Sequence, residues 1–221
     1  MKRILCYGDS NTWGHDPENG AKRVDDGARW TRVLQQKLGE DFCVIEEGLC
    51  GRRCGGTGAL GADDLVCDGY QYFIPCFKSH KPLELVIIML GTNDLQRQFE
   101  LQPEYVGEML CRYVRTIKTI SAECGDNVPE ILLISPIAID KAITENPVFN
   151  EIFGAQSITK SERLGNVIEE AAEKCGVHFM RGEDYALASK LDGLHMNAEN
   201  HRRFGNAVYD RVKTVLKLAD F

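Results

Sequence analysis

Short apolar runs of strand length alternate along the chain with longer segments whose apolar residues recur every three or four positions. Strands are predicted over residues 3–7, 42–46, 85–90 ("LVIIML"), 130–135 ("EILLIS", ended by Pro136) and 177–180. Between them, helical spacing predicts a helix over 27–38, with Trp30, Val33, Leu34 and Leu38 on one face. Further helices are predicted over 63–79, weakened by Gly69 and Pro75, over 104–124 after Pro103, over 158–175 closed by Gly176, and from 197 or 198 to 218. Residues 137–157 follow no single period and predict a loop with short helical turns. The 85–90 run is apolar throughout, as a parallel strand covered on both faces must be. Alternation without repeat, low-complexity tract or linker predicts one α/β domain over 1–221, a five-stranded parallel sheet with right-handed crossovers between helix layers.

Composition narrows what such a domain can do. At 221 residues, 43% hydrophobic and 27% charged, the chain can bury a substantial core. A net charge of −7 argues against a nucleic-acid footprint and against a basic membrane-binding surface. No apolar run reaches spanning length, and the first one meets Gly8-Asp9-Ser10-Asn11 too early for a signal-peptide core, so a cytoplasmic protein is expected. Nine cysteines, an odd number without an export signal, read as reduced thiols. Cys50 and Cys54 form C-x3-C, but no second pair follows at zinc-site spacing.

In a parallel sheet the working site lies beyond the carboxyl ends of the strands. There the chain carries Gly8-Asp9-Ser10-Asn11, Glu46-Glu47-Gly48-Leu49 and Gly91-Thr92-Asn93-Asp94, with Asp192-Gly193-Leu194-His195 before the last helix. A hydroxyl, an imidazole, a carboxylate and amide donors are the parts that acyl transfer through a serine ester requires. Among the five histidines, only His195 has a carboxylate three residues upstream in a Gly-containing turn. Asp192 can then orient one imidazole nitrogen while the other faces Ser10. Donors for the oxyanion are the N–H groups of Ser10 and Gly48 and the side-chain amide of Asn93.

These four blocks, "GDSNTWG", "EEGLCGR", "GTNDL" and "DGLHMN", resemble those of the SGNH (GDSL-type) serine hydrolases, in that family's order and spanning residues 8 to 195. The wording is similar to the arylesterase/acyltransferase-like branch. The resemblance implies a three-layer, flavodoxin-like α/β/α sandwich and a Ser10–His195–Asp192 triad without metal or cofactor. It also implies oxyanion donors at Ser10, Gly48 and Asn93. The expected substrate is a small or medium acyl ester, with water or an alcohol as acceptor. One departure is Glu46, standing where many members carry Asn. A carbohydrate O-deacetylase is the alternative activity. A non-catalytic module holding a small polar ligand is the alternative class, and requires Ser10 and His195 out of register.

Other features carry less. Gly56 to Gly61 matches G-x-G-x-x-G, but it lies well past its strand and is followed by Asp63 and Asp64, which would repel a pyrophosphate; a loop is expected. Asp9, Trp13, Asp94 and Leu194 are candidate substrate contacts, Trp13 as a pocket wall and Asp94 mainly as a brace of its turn. His15, His80, His178 and His201 lack a carboxylate in local register, and only His15 is near enough to Ser10 to touch a substrate. Phe99, Val148, Ile152 and Phe153 would suit a subunit contact in a homo-oligomer.

Overall fold

A computed structural model of the chain describes residues 1–20, 22–56 and 66–219. Five strands, β1 (Lys2–Gly8), β2 (Phe42–Gly48), β3 (Leu85–Met89), β4 (Glu130–Ile134) and β5 (His178–Met180), form one sheet in the order β2-β1-β3-β4-β5. Every pairing is parallel, so each crossover must return the chain to the end of the sheet at which the strands begin.

Alternation along the strands divides the core in two. Leu5, Tyr7, Val86, Ile88, Ile131 and Leu133 face one side. They pack against helices α3 (Gly69–His80), α4 (Pro103–Cys124) and α6 (Gln156–Cys175) through Phe73, Phe77, Leu110, Tyr113 and Ile168. Ile4, Cys6, Leu85, Ile87, Leu132 and Ile134 face the other. There they meet Trp30 and Leu34 of α2 (Trp30–Leu38) and Phe204, Val208 and Val212 of α7 (Ala198–Leu216). The result is the expected three-layer, flavodoxin-like sandwich. Two short helices complete it: α1 (Ser10–Trp13) directly follows β1, and α5 (Pro147–Phe153) lies in the long connection before α6.

Several boundaries move for physical reasons. The helix expected over 27–38 begins at Trp30, because residues 25–29 close a turn in which Ala28 and Arg29 donate to the Asp25 carbonyl. The helix expected from residue 63 is described from Gly69, where the Asp68 side chain caps it by accepting the Gln71 N–H at 3.1 Å. Residues 63–65, with most of the Gly-rich run, lie outside the described residues. The 137–157 connection contains a 3-10 turn at Lys141–Thr144 before α5, whose first turn is capped by Asn146. Phe153 is 1% exposed and belongs to the core, not to a subunit contact; Val148 is 61% exposed and Ile152 36%.

Candidate active site

The sheet delivers the first residue of the site by ending abruptly. Gly8 closes β1, Asp9 caps α1 by accepting the Asn11 N–H at 2.9 Å, and Ser10 is the first helical residue. At the opposite end of the chain, Asp192 Oδ1 accepts the N–H groups of Leu194 (2.9 Å) and His195 (3.0 Å), folding the Asp-Gly-Leu-His turn around the carboxylate. Gly193 has φ +70°, and a Cβ there would stand 2.3 Å from the Ile143 nitrogen, so only glycine fits. The turn aims Asp192 Oδ2 at His195 Nδ1, 2.7 Å away, and His195 Nε2 at Ser10 Oγ, 2.9 Å away. Burial pushes the Asp192 carboxyl up, but the hydrogen bonds and charge of His195 and the two backbone N–H groups outweigh it, and the net shift is downward. The chain of atoms therefore runs carboxylate, imidazole, hydroxyl.

Asn11 bonds the α1 end of the site to the segment that carries His195. Its Nδ2 donates to the Leu194 carbonyl at 3.2 Å and its Oδ1 accepts the Met196 N–H at 2.9 Å, while Trp30 Nε1 donates to the Asn11 carbonyl at 3.0 Å. The sequence reading passed over Asn11. An uncharged amide beside the serine, able to donate and accept at once, was the available signal.

Gly48 ends β2 in register with Gly8, and Leu49, not Gly48, supplies the N–H that bonds the Gly8 carbonyl at 3.1 Å. A Cβ on Gly48 would lie 2.1 Å from the Trp13 nitrogen, so α1 itself requires glycine there. Asn93 is buried and commits one amide hydrogen to the Arg52 carbonyl at 3.1 Å. Arg52, also missed, sends Nη1 to the carbonyls of Gly8 (2.9 Å) and Glu47 and lays its guanidinium over Tyr7. It thereby joins the ends of β1 and β2 to the Asn93 turn.

The remaining candidates divide. Asp9 is buried and its carboxyl is pushed up to about 6 by burial. Asp94 is fully buried, with both oxygens accepting the Cys54 N–H at 3.0 Å, and burial pushes it up to about 7. Leu194 turns its side chain into the core. Trp13 is half-buried, with the Arg23 guanidinium 5.7 Å from its ring. The His15 ring lies against His195 at 4.1 Å between centroids, tilted by 37°, and Phe149 makes a T-shaped contact with His195 at 5.5 Å. Burial and the neighbouring His195 charge push His15 down. His80 and His178 are paired across the fold, with Glu47 (2.8 Å) and Glu130 (3.0 Å), and His201 is buried. Glu46 binds Arg29 through both oxygens (2.7 and 3.2 Å) and accepts from Thr31, which ties β2 to the start of α2.

The sheet has the flavodoxin-like strand order, and a hydrogen-bonded line of Ser10, His195 and Asp192 stands at its carboxyl rim. The model of the GDSL-like lipase/acylhydrolase family matches residues 6–203, and the chain belongs to that family. It is thus a GDSL-type ester hydrolase. Among solved structures, the inhibitor-bound aryl esterase of M. smegmatis is similar, at 34% identity and a TM-score of 0.88, covering 97% of this chain and 100% of that one. A carbohydrate acetylesterase family member from Sinorhizobium meliloti is similar at 32% identity and a TM-score of 0.88, covering 99% of this chain and 100% of that one. Est24, a carbohydrate acetylesterase from the same organism, is similar at 30% identity and a TM-score of 0.88, covering 97% of this chain and 99% of that one. A search among curated proteins finds no match.

Proposed function

We propose that the protein hydrolyses small acyl esters through a serine ester formed on Ser10. The observation that carries this reading is the unbroken chain from Asp192 Oδ2 through His195 to Ser10 Oγ, with steps of 2.7 and 2.9 Å. His195 Nε2 takes the Ser10 proton as Oγ attacks the ester carbonyl, and returns it to the departing alcohol oxygen. Asp192 fixes the proton on Nδ1 and stabilises the imidazolium. Water then repeats the sequence on the acyl-enzyme, and the acid leaves. Oxyanion charge is met by the Ser10 N–H, which the start of α1 does not use, by the Gly48 N–H and by the second amide hydrogen of Asn93.

The same acyl-enzyme can pass to an alcohol. Ser10 and His195 are 7% and 3% exposed, and the Phe149 ring stands against the imidazole, which favours an apolar acceptor over bulk water. The non-catalytic reading needs Ser10 and His195 out of register, and the 2.9 Å contact speaks against it. An acetylated sugar is the second substrate class, favoured by the likeness to the S. meliloti acetylesterases. Rates on an aryl acetate and on acetylated xylose, each with and without added alcohol, rank the three outcomes. Ser10→Ala should lower aryl acetate turnover by at least about 10³-fold with the fold intact. Turnover within a few-fold of wild type would refute Ser10 as nucleophile.

A further inference from the structure

A second group of reactive side chains lies outside the Ser10 site, where α3 packs beside the end of β2. Cys76 and His80 stand four residues apart on one face of α3, and Glu47 reaches them from β2. His80 Nε2 is 2.8 Å from Glu47 Oε1, and one ligand atom from each of Glu47, Cys76 and His80 lies within 4.8 Å of the others. The Tyr72 hydroxyl donates to the second oxygen of Glu47 at 3.2 Å. Cys76 is 3% exposed, whereas the side chains of His80 and Glu47 are 30% and 19% exposed, so the group is closed on the protein side and open toward solvent.

An imidazole and a carboxylate alone would be an ordinary ion pair. The thiol changes the chemistry: thiolate, imidazole and carboxylate form a mixed donor set that suits zinc and excludes magnesium and calcium. We propose that Glu47, Cys76 and His80 form a zinc-type metal site, distinct from the Ser10 centre, with water in the fourth position.

Tetrahedral zinc places its ligand atoms about 3.3–3.7 Å apart, given bonds of about 2.0–2.3 Å. The Glu47–His80 contact therefore opens by a fraction of an ångström as the metal replaces the shared hydrogen. The Cys76 proton goes to solvent, and the hydrogen that His80 shares with Glu47 leaves Nε2 and is exchanged through solvent to Nδ1, so that the neutral imidazole binds through Nε2. One thiolate and one carboxylate balance the two positive charges of the ion, which makes the half-buried site neutral. Binding releases the Cys76 proton and so should strengthen as pH rises, while the Arg52 guanidinium, bonded to the Glu47 carbonyl, is the charged neighbour that opposes the ion. Tyr72 already orients the carboxylate in the way groups behind a metal ligand do. Glu47 also immediately precedes Gly48, so an ion here would stiffen the peptide that carries a proposed oxyanion donor.

The test is titration of the purified full chain with Co²⁺, read by visible absorption. The expected result is one equivalent with tetrahedral bands and a sulfur-to-cobalt charge-transfer band, both erased by Zn²⁺. Cys76→Ser should abolish the charge-transfer band, and His80→Ala should weaken binding more than about tenfold. His80 is partly exposed, so its variant spares the core if Cys76→Ser does not fold. Aryl ester turnover without metal should be unchanged in both. Absence of a charge-transfer band in the wild type, or a band of full strength in Cys76→Ser or unweakened binding in His80→Ala, would overturn the site.

Discussion

Replacing Asn11 by alanine is the sharpest test of how the two ends of the chain are held in register. The wild-type amide makes two buried hydrogen bonds to the segment that carries His195, to the Leu194 carbonyl and the Met196 N–H. Alanine leaves both backbone groups without that partner in a site where Asn11 itself is 3% exposed. Each buried group left unpaired costs about 1–3 kcal/mol, and partial relaxation makes the sum about 2–4 kcal/mol. For a domain of this size that lowers the melting temperature by about 5–15 °C. The effect on rate is separate. Among the described residues the turn is bonded to α1 by Asn11 and by the His195–Ser10 contact itself, so without Asn11 the distance from the imidazole to Ser10 Oγ rests on the contact that the reaction must break. A displacement of about 1 Å costs on the order of 10²-fold in a reaction that depends on near-attack geometry. The assay is aryl acetate hydrolysis well below the melting point, together with the rate of fluorophosphonate labelling of Ser10. Both rates should fall in parallel, with KM little changed. An alanine variant that melts lower but keeps wild-type kcat would refute the positioning argument, since only stability would then depend on Asn11.

Other perturbations follow from the same geometry. Asp192→Asn keeps a side-chain oxygen for the turn but loses the charge that fixes the His195 tautomer, so kcat should fall about 10³–10⁴-fold with little change in melting temperature; a loss under tenfold would contradict the assigned role. Gly48→Ala puts a Cβ 2.1 Å from the Trp13 nitrogen and 2.5 Å from its Cα, and α1 must shift. Overpacking of this kind costs about 1–3 kcal/mol, so a lower melting temperature and a turnover loss beyond about tenfold are expected, and wild-type values in both would show the contact to be soft. Asp94 in the folded chain titrates at about 7 rather than 3.8. Its folded value is raised, so its contribution to stability is complete below about pH 4 and is lost as pH rises through about 7. Asp94→Asn removes this dependence while retaining an acceptor for Cys54. Denaturant unfolding at several pH values should show the variant gaining on the wild type between about pH 4 and 7, and parallel curves would refute the buried-acid account.

Much of this was legible in the chain because it depends on local pattern. The alternation of Ile4 and Cys6 with Leu5 and Tyr7 assigns each side chain to a helix layer, and the strand ends follow from where that alternation stops. Ser10, Gly48, Asn93, Asp192 and His195 could be named as candidates because turn chemistry interrupts apolar runs at those points. What stayed hidden were contacts set by tertiary distance. Asn11 and Leu194 are separated by 183 residues, and nothing near either one announces the other. The partners of His80 and His178 come from neighbouring strands, so a search for carboxylates in local register could not find them. Phe153 looked like a surface residue because its loop has no period, yet α5 turns it inward.

The role of Gly48 also has a different cause from the one its position suggests. At the end of a strand, a glycine's missing side chain suggests room for the backbone to approach a reacting carbon. In the structure the space is taken by α1, whose Trp13 backbone lies where a Cβ would be. Close packing of α1 on the end of β2 is what brings the Ser10 and Gly48 peptides to one rim, and Arg52 then ties both strand ends to the Asn93 turn through its side chain and its own carbonyl. Glycine is thus needed for the fold at the same point where its N–H is proposed to meet the oxyanion. A variant that restores close packing by shrinking the facing residue cannot rescue it, because the obstructing atoms belong to the backbone.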